Sequence, residues 1–159
     1  MHTRLSRDQV AIETTWNLDD LFASDAAWQA GCLAVDQARQ ALGRWQGRPG
    51  ADAATLLAAL TALESVQQRL MGVDAFAYLR NAQDGSNPQY QAAVARVSAL
   101  QAQVDAARSA IDSEILALPA DQLCRFRADE AGLADFQVYL DDLLALRPHR
   151  LGAEAEQAL

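Results

Sequence analysis

A chain of 159 residues suits one domain large enough to bury roughly two thirds of its unfolded surface. Thirteen basic against 21 acidic residues leave a formal net charge of −8, which excludes a phosphate-backbone binder, since that function needs a basic patch to release counterions. With 51% apolar residues, few aromatics, 8 Gly and 4 Pro, the composition also excludes disorder and a turn-dense β protein, and favours an all-α fold.

The amino-terminal stretch "MHTRLSRDQVAIETT" has no apolar core and carries acids early, unlike a secretion signal. After it, "ETTWNLDDLF" (Glu13 to Phe22) is the least helix-like decamer of the chain and reads as an arm. The first helix is predicted from Ser24-Asp25, with Ser24 a good cap. Its apolar positions Trp28, Cys32, Val35, Ala38, Leu42 and Trp45 recur every three or four residues. "GRPGAD" (Gly47 to Asp52) ends it, and Asp52 can cap the next helix. That helix carries Leu56, Leu60, Leu63, Val66, Leu70, Val73 and Phe76, and is expected to run for about 27 residues. "NAQDGSNP" (Asn81 to Pro88) breaks it.

A third stripe, Tyr90, Val94, Val97, Leu100, Val104, Ala107, Ile111 and Ile115, stops at Pro119, which itself suits the start of a short helix, "PADQLCRF". A fourth long helix is predicted after Asp129, through Leu133, Phe136, Leu140 and Leu143 to Leu146, with Arg147-Pro148-His149 as its stop. "GAEAEQAL" then begins a further helix. The short connections predict an antiparallel up-down bundle of about four long helices plus a short one, preceded by an extended amino-terminal arm. The expected division is arm 1–23, bundle 24–147, and the start of a helix over 148–159. No apolar run is long enough to span a bilayer, and a cytoplasmic protein is expected.

Chemistry is scarce. His2 and His149 are the only histidines, so the zinc-protease pattern H-E-x-x-H cannot be assembled, and His149 reads as a packed or capping residue. Cys32 and Cys124 are far apart and read as reduced thiols. The acidic pairs Asp19-Asp20, Asp129-Glu130 and Asp141-Asp142 are adjacent, so on helices their side chains diverge by about 100°. Glu64 and Glu114, beside apolar stripes, read as solvated or capping acids. No phosphate loop is present and no Ser or Cys has a base partner. No catalytic, cofactor-binding or metal-binding residue is therefore assigned, and the chain alone is expected to be inactive. Trp16, Leu18, Leu21 and Phe22 read instead as an apolar anchor, laid on a bundle face or on a further domain.

Several stretches, in order, resemble one family. "TTWNLDDLFASDAAW" (Thr14 to Trp28) is similar to the entry segment of oligoendopeptidase F, a group of thimet-oligopeptidase-like zinc metallopeptidases, through Thr15, Trp16, Leu18, Leu21, Phe22 and Trp28. "YLRNAQDGSNPQYQ" (Tyr78 to Gln91) resembles the family's tyrosine-containing helix end and the loop after it, and "SEILALP" (Ser113 to Pro119) its Glu-Ile-Leu segment. At the carboxyl end, Arg147, Pro148, His149, Leu151, Glu156 and Leu159 match its Lys/Arg-Pro-His-x-Leu-Ser-x-x-x-Glu-x-x-Leu pattern, with Gly152 departing from the usual Ser. The resemblance implies the helical amino-terminal lobe of an enzyme that cuts internal bonds of short peptides with Zn2+, the lobe forming one wall of the substrate channel. It implies the catalytic domain of the same polypeptide as partner, oligopeptides as substrates of the full-length enzyme, and zinc ligands lying outside this chain. Neither nucleic acid nor membrane is expected as a partner. The alternative reading is a standalone helical adaptor that binds a partner helix in its Ala/Leu groove.

Overall fold

The structure, a computed structural model, describes residues 9–147. Among these residues there is no strand, and five α-helices carry the fold: α1 (Asp25–Ala41), α2 (Ala53–Gln83), α3 (Pro88–Ala117), α4 (Ala120–Asp129) and α5 (Gln137–Ala145). The all-α expectation holds.

Local chemistry explains most boundaries. The Ser24 hydroxyl oxygen accepts from the Ala27 amide (3.1 Å), capping α1, and Asp25 places a negative charge in its first turn. Trp28, Cys32 and Val35 bury one stripe of α1, and Leu42 continues it into a 3-10 turn, Leu42–Trp45. Gly47 then takes a φ of 73°, a left-handed conformation that suits glycine. Asp52 Oδ1 accepts from the Thr55 amide (2.7 Å) and caps α2 as expected. At 31 residues α2 is longer than predicted, about 46 Å at roughly 1.5 Å per residue. The supposed breaker is spent later: Asn81 to Gln83 stay helical, and the turn begins at Asp84, whose carboxylate accepts from both the amide and the hydroxyl of Ser86. Asn87 Oδ1 accepts from the Gln89 amide (2.9 Å), and Pro88 occupies the first helical position of α3.

Two expectations are corrected. The amino-terminal arm is not extended throughout: it winds into 3-10 turns at Ile12–Thr14 and Leu18–Asp20, closed by its own Thr and Asn side chains. The predicted fourth long helix is interrupted, with a 3-10 stretch, Ala131–Phe136, preceding a nine-residue α5. Glu130 Oε1 accepts from the Gly132 amide and starts the tight winding. At three residues per turn Leu133 and Phe136 lie one above the other, and Leu133 is fully buried.

The chain forms two compact units. One comprises residues up to Ala41 with Glu64–Ala106; the other comprises Leu42–Leu63 with residues from Ala107 on. In the first, α1 runs antiparallel to the second part of α2. Asp25 meets Arg80, and Trp28, a turn further on, meets Phe76 and Val73. A Cβ on Gly31 would lie 2.8 Å from the Phe22 ring and 3.1 Å from Val73, so a bare backbone at this position is what allows the close approach. In the second, the Glu114 carboxylate receives the Gly47 amide on both oxygens (2.8 and 2.9 Å), and Gln122 donates to the Gly50 carbonyl (2.8 Å). The Arg147 guanidinium donates to the Leu118 carbonyl (2.6 Å).

Candidate functional site

Each acid weighed from the sequence has a structural task or none that is visible. Asp20 Oδ1 accepts from the Asn17 side-chain amide (2.9 Å), holding the arm's second turn, while Asp19 is exposed. Glu130 caps the 3-10 stretch, Asp129 is exposed, and Asp141 pairs with Arg127 (2.7 Å) beside an exposed Asp142. Glu64 accepts from the Gln68 side-chain amide one turn on. Glu114, read as solvated or capping, ties a loop to α3 by two charge-assisted bonds. Both cysteines are free, Cys32 buried and Cys124 exposed, and burial pushes the Cys32 thiol above its usual range although the Arg96 charge acts against it. His2 and His149 lie outside the described residues, as do Leu151, Gly152, Glu156 and Leu159. Among the described residues no three His, Cys, Asp or Glu are grouped to hold a metal ion. Nor is any helix among them long and apolar enough to cross a membrane.

The densest polar chemistry lies in the first unit, around a cavity of about 450 Å³. Its aromatic floor is Trp28 stacked on Phe76, with ring centroids 6.3 Å apart and planes at 27°. The Trp28 indole N–H donates to the Val73 carbonyl (2.9 Å), which holds the ring in place. Arg80 lies over both Phe76 (5.2 Å) and Tyr90 (4.7 Å) and pairs with Asp25. Arg96 sits over the Trp28 ring at 5.6 Å. Sequence reasoning missed this grouping: Arg80 and Arg96 belong to different helices, and their only signal was two cations on faces flanking apolar stripes. The cluster can bind and orient; it holds no nucleophile paired with a base.

A second polar cluster joins α3 and α5. The Tyr139 hydroxyl donates to the Asp112 carboxylate, with Arg108 one turn before it. Burial raises the Asp112 carboxyl above its ordinary range, outweighing the Tyr139 hydrogen bond and the Arg108 charge. Burial, and then the same hydrogen bond, raise the Tyr139 phenol too. Because the folded value of Asp112 is the higher one, its contribution to stability is complete below the ordinary carboxylate value of about 3.9 and is lost as pH rises through its folded value. Asp52 and Asp84 act oppositely. Hydrogen bonds from Thr55 and Ser86 lower them, so their contribution is present above about 3.9 and is lost on acidification. Asp112→Asn keeps an acceptor for Tyr139 but removes the titration. Its stability relative to wild type should therefore improve from pH 3 to pH 7 in urea titrations; a constant difference would show that Asp112 titrates normally.

With this geometry in hand, comparison with known proteins gives the class. A family model described as Oligopeptidase F matches residues 114–159. Oligopeptidase PepF of Bacillus subtilis (strain 168) is 32% identical over 153 residues, 96% of this chain and 23% of the relative. The crystal structure of oligoendopeptidase-F from Enterococcus faecium superposes with a TM-score of 0.73 at 29% identity, over 86% of this chain and 27% of that one. A Chlamydophila abortus protein, at 19% identity, shares the fold with a TM-score of 0.79 over 96% of this chain and 26% of its own. The helical chain thus resembles the amino-terminal part of oligopeptidase F peptidases. It spans about a quarter of the length of the relatives it matches.

Proposed function

We propose that this chain is the amino-terminal helical domain of a zinc-dependent oligoendopeptidase that hydrolyses internal bonds of short peptides, and that it shapes the substrate channel without supplying a catalytic group. Residues 1–23 form the arm, 24–147 the lobe, and 148–159 lead into the catalytic domain of the same polypeptide. The observation that supports this most directly is the match of almost the whole chain to 23% of a 32% identical oligopeptidase. In this reading the zinc ligands and the H-E-x-x-H helix belong to the rest of the polypeptide and no chemical step runs through this domain, in keeping with the described residues, where no three His, Cys, Asp or Glu are grouped to hold a metal ion. The enzyme is cytoplasmic in this reading.

The test is to express the complete reading frame beside the 159-residue chain and assay both on an internally quenched oligopeptide. The complete protein should cleave it, lose activity to a zinc chelator and regain it with Zn2+, while the 159-residue chain stays inactive. Stoichiometric zinc in the shorter chain, or a frame that lacks H-E-x-x-H, would overturn the reading.

A further inference from the structure

We propose that the arm around Ile12 and Trp16 is a docking surface for the remainder of the same polypeptide, which meets it with an apolar socket rimmed by basic side chains. The inference rests on the reading of the chain as part of a longer peptidase, and three observations carry it.

The first is the failure of the arm to bury its own apolar residues. Of the four expected to anchor it, Phe22 is half-buried, edge-on to Phe76 at 5.5 Å and 76°. Leu18 is half-buried and Leu21 exposed, while Trp16 is 82% and Ile12 83% exposed. A tryptophan offers roughly 150–250 Å² to a partner and is the residue type most enriched at binding hot spots.

The second is the emptiness beside it. Trp16 lines two cavities in the first unit, one of about 600 Å³ towards Phe76 and Arg80, the other of about 390 Å³ towards Leu79 and Ala82. Among the described residues nothing fills either, although the arm is held in a definite shape by its own bonds. Thr14 and Thr15 hydroxyls donate to the Ala11 and Ile12 carbonyls (2.7 Å each), and the Asn17 amide donates to Asp20 (2.9 Å). A pre-shaped arm with its largest ring outward loses little conformational freedom on docking.

The third is charge and length. Glu13, Asp19 and Asp20 flank Trp16 in the sequence, and from Ile12 to Trp28 there is no basic residue, so the complementary surface carries Arg or Lys. The relatives supply the occupant: each is about four times as long as the segment this chain matches, so an intramolecular partner is present at high effective concentration.

Hydroxyl-radical footprinting read by mass spectrometry tests this on the 159-residue chain and the complete enzyme. Trp16 should label at least about fivefold less in the complete enzyme, as expected for a ring moving from the exposed state to an interface core. Trp16→Ala should leave the melting temperature of the 159-residue chain unchanged and lower that of the complete enzyme by several degrees. Equal labelling in an active complete enzyme would overturn the inference and leave the peptidase reading standing. A complete protein without peptidase activity would remove both. Protection that appears in the 159-residue chain as its concentration rises would assign the surface to a second copy and overturn the inference too.

Discussion

Trp28→Ala should cost the chain about 3–5 kcal/mol, the range for emptying a large buried aromatic position. Only 6% of Trp28 is exposed, and three attachments end with its ring: the hydrogen bond to the Val73 carbonyl, the stack on Phe76 and the support under Arg96. Phe22 would still cover the other side of Phe76, so the cavity should collapse only in part. Trp28→Phe separates packing from polarity. It keeps most of the apolar area and loses the indole hydrogen bond, at about 0.5–1.5 kcal/mol. Urea titrations should move the midpoint of both variants with little change in slope. A loss below about 1 kcal/mol for Trp28→Ala would mean that Trp28 is not the keystone of this unit.

Leu140→Ala should cost about 2–5 kcal/mol and should melt α5. With nine residues, α5 is too short to be stable by itself, since helix nucleation is costly and only a few backbone bonds follow it. Its existence depends on burying Leu140, which has no exposed surface, together with Leu143. The Tyr139–Asp112 bond would go with it. Leu146→Ala, just beyond the helix at a 55% exposed position, should stay within about 0.5 kcal/mol. Amide exchange of residues 137–145 reads the two cases apart. Unchanged protection in Leu140→Ala would mean that α5 is held by its polar contacts instead.

Where apolar spacing runs unbroken, the sequence and the fold agree. The stripe from Leu56 to Phe76 is buried at every position read from it, because a three-or-four spacing puts all seven side chains on one face whatever that face meets. Ser24, Asp52 and Pro88 mark helix starts because capping uses only neighbours in the chain. The last third was harder to read. Leu133, Phe136, Leu140 and Leu143 fit one α-helical face on paper, yet the Glu130–Gly132 bond and the demand to seat Leu133 select a tighter winding first. Glu114 gave no sign that it would clamp Gly47, since the two are 67 positions apart.

By itself the sequence determined that the chain is helical, where its long helices begin, and through ordered segments such as "TTWNLDDLF" which family it resembles. These properties follow from local spacing and residue type. Tertiary structure decided which large apolar residues are used inside the chain. Trp16 and Trp28 stand twelve positions apart in the same matching segment, but only Trp28 lies on a helix face turned towards α2. Burial is a property of what stands opposite a side chain, and for Trp16 nothing in residues 9–147 does.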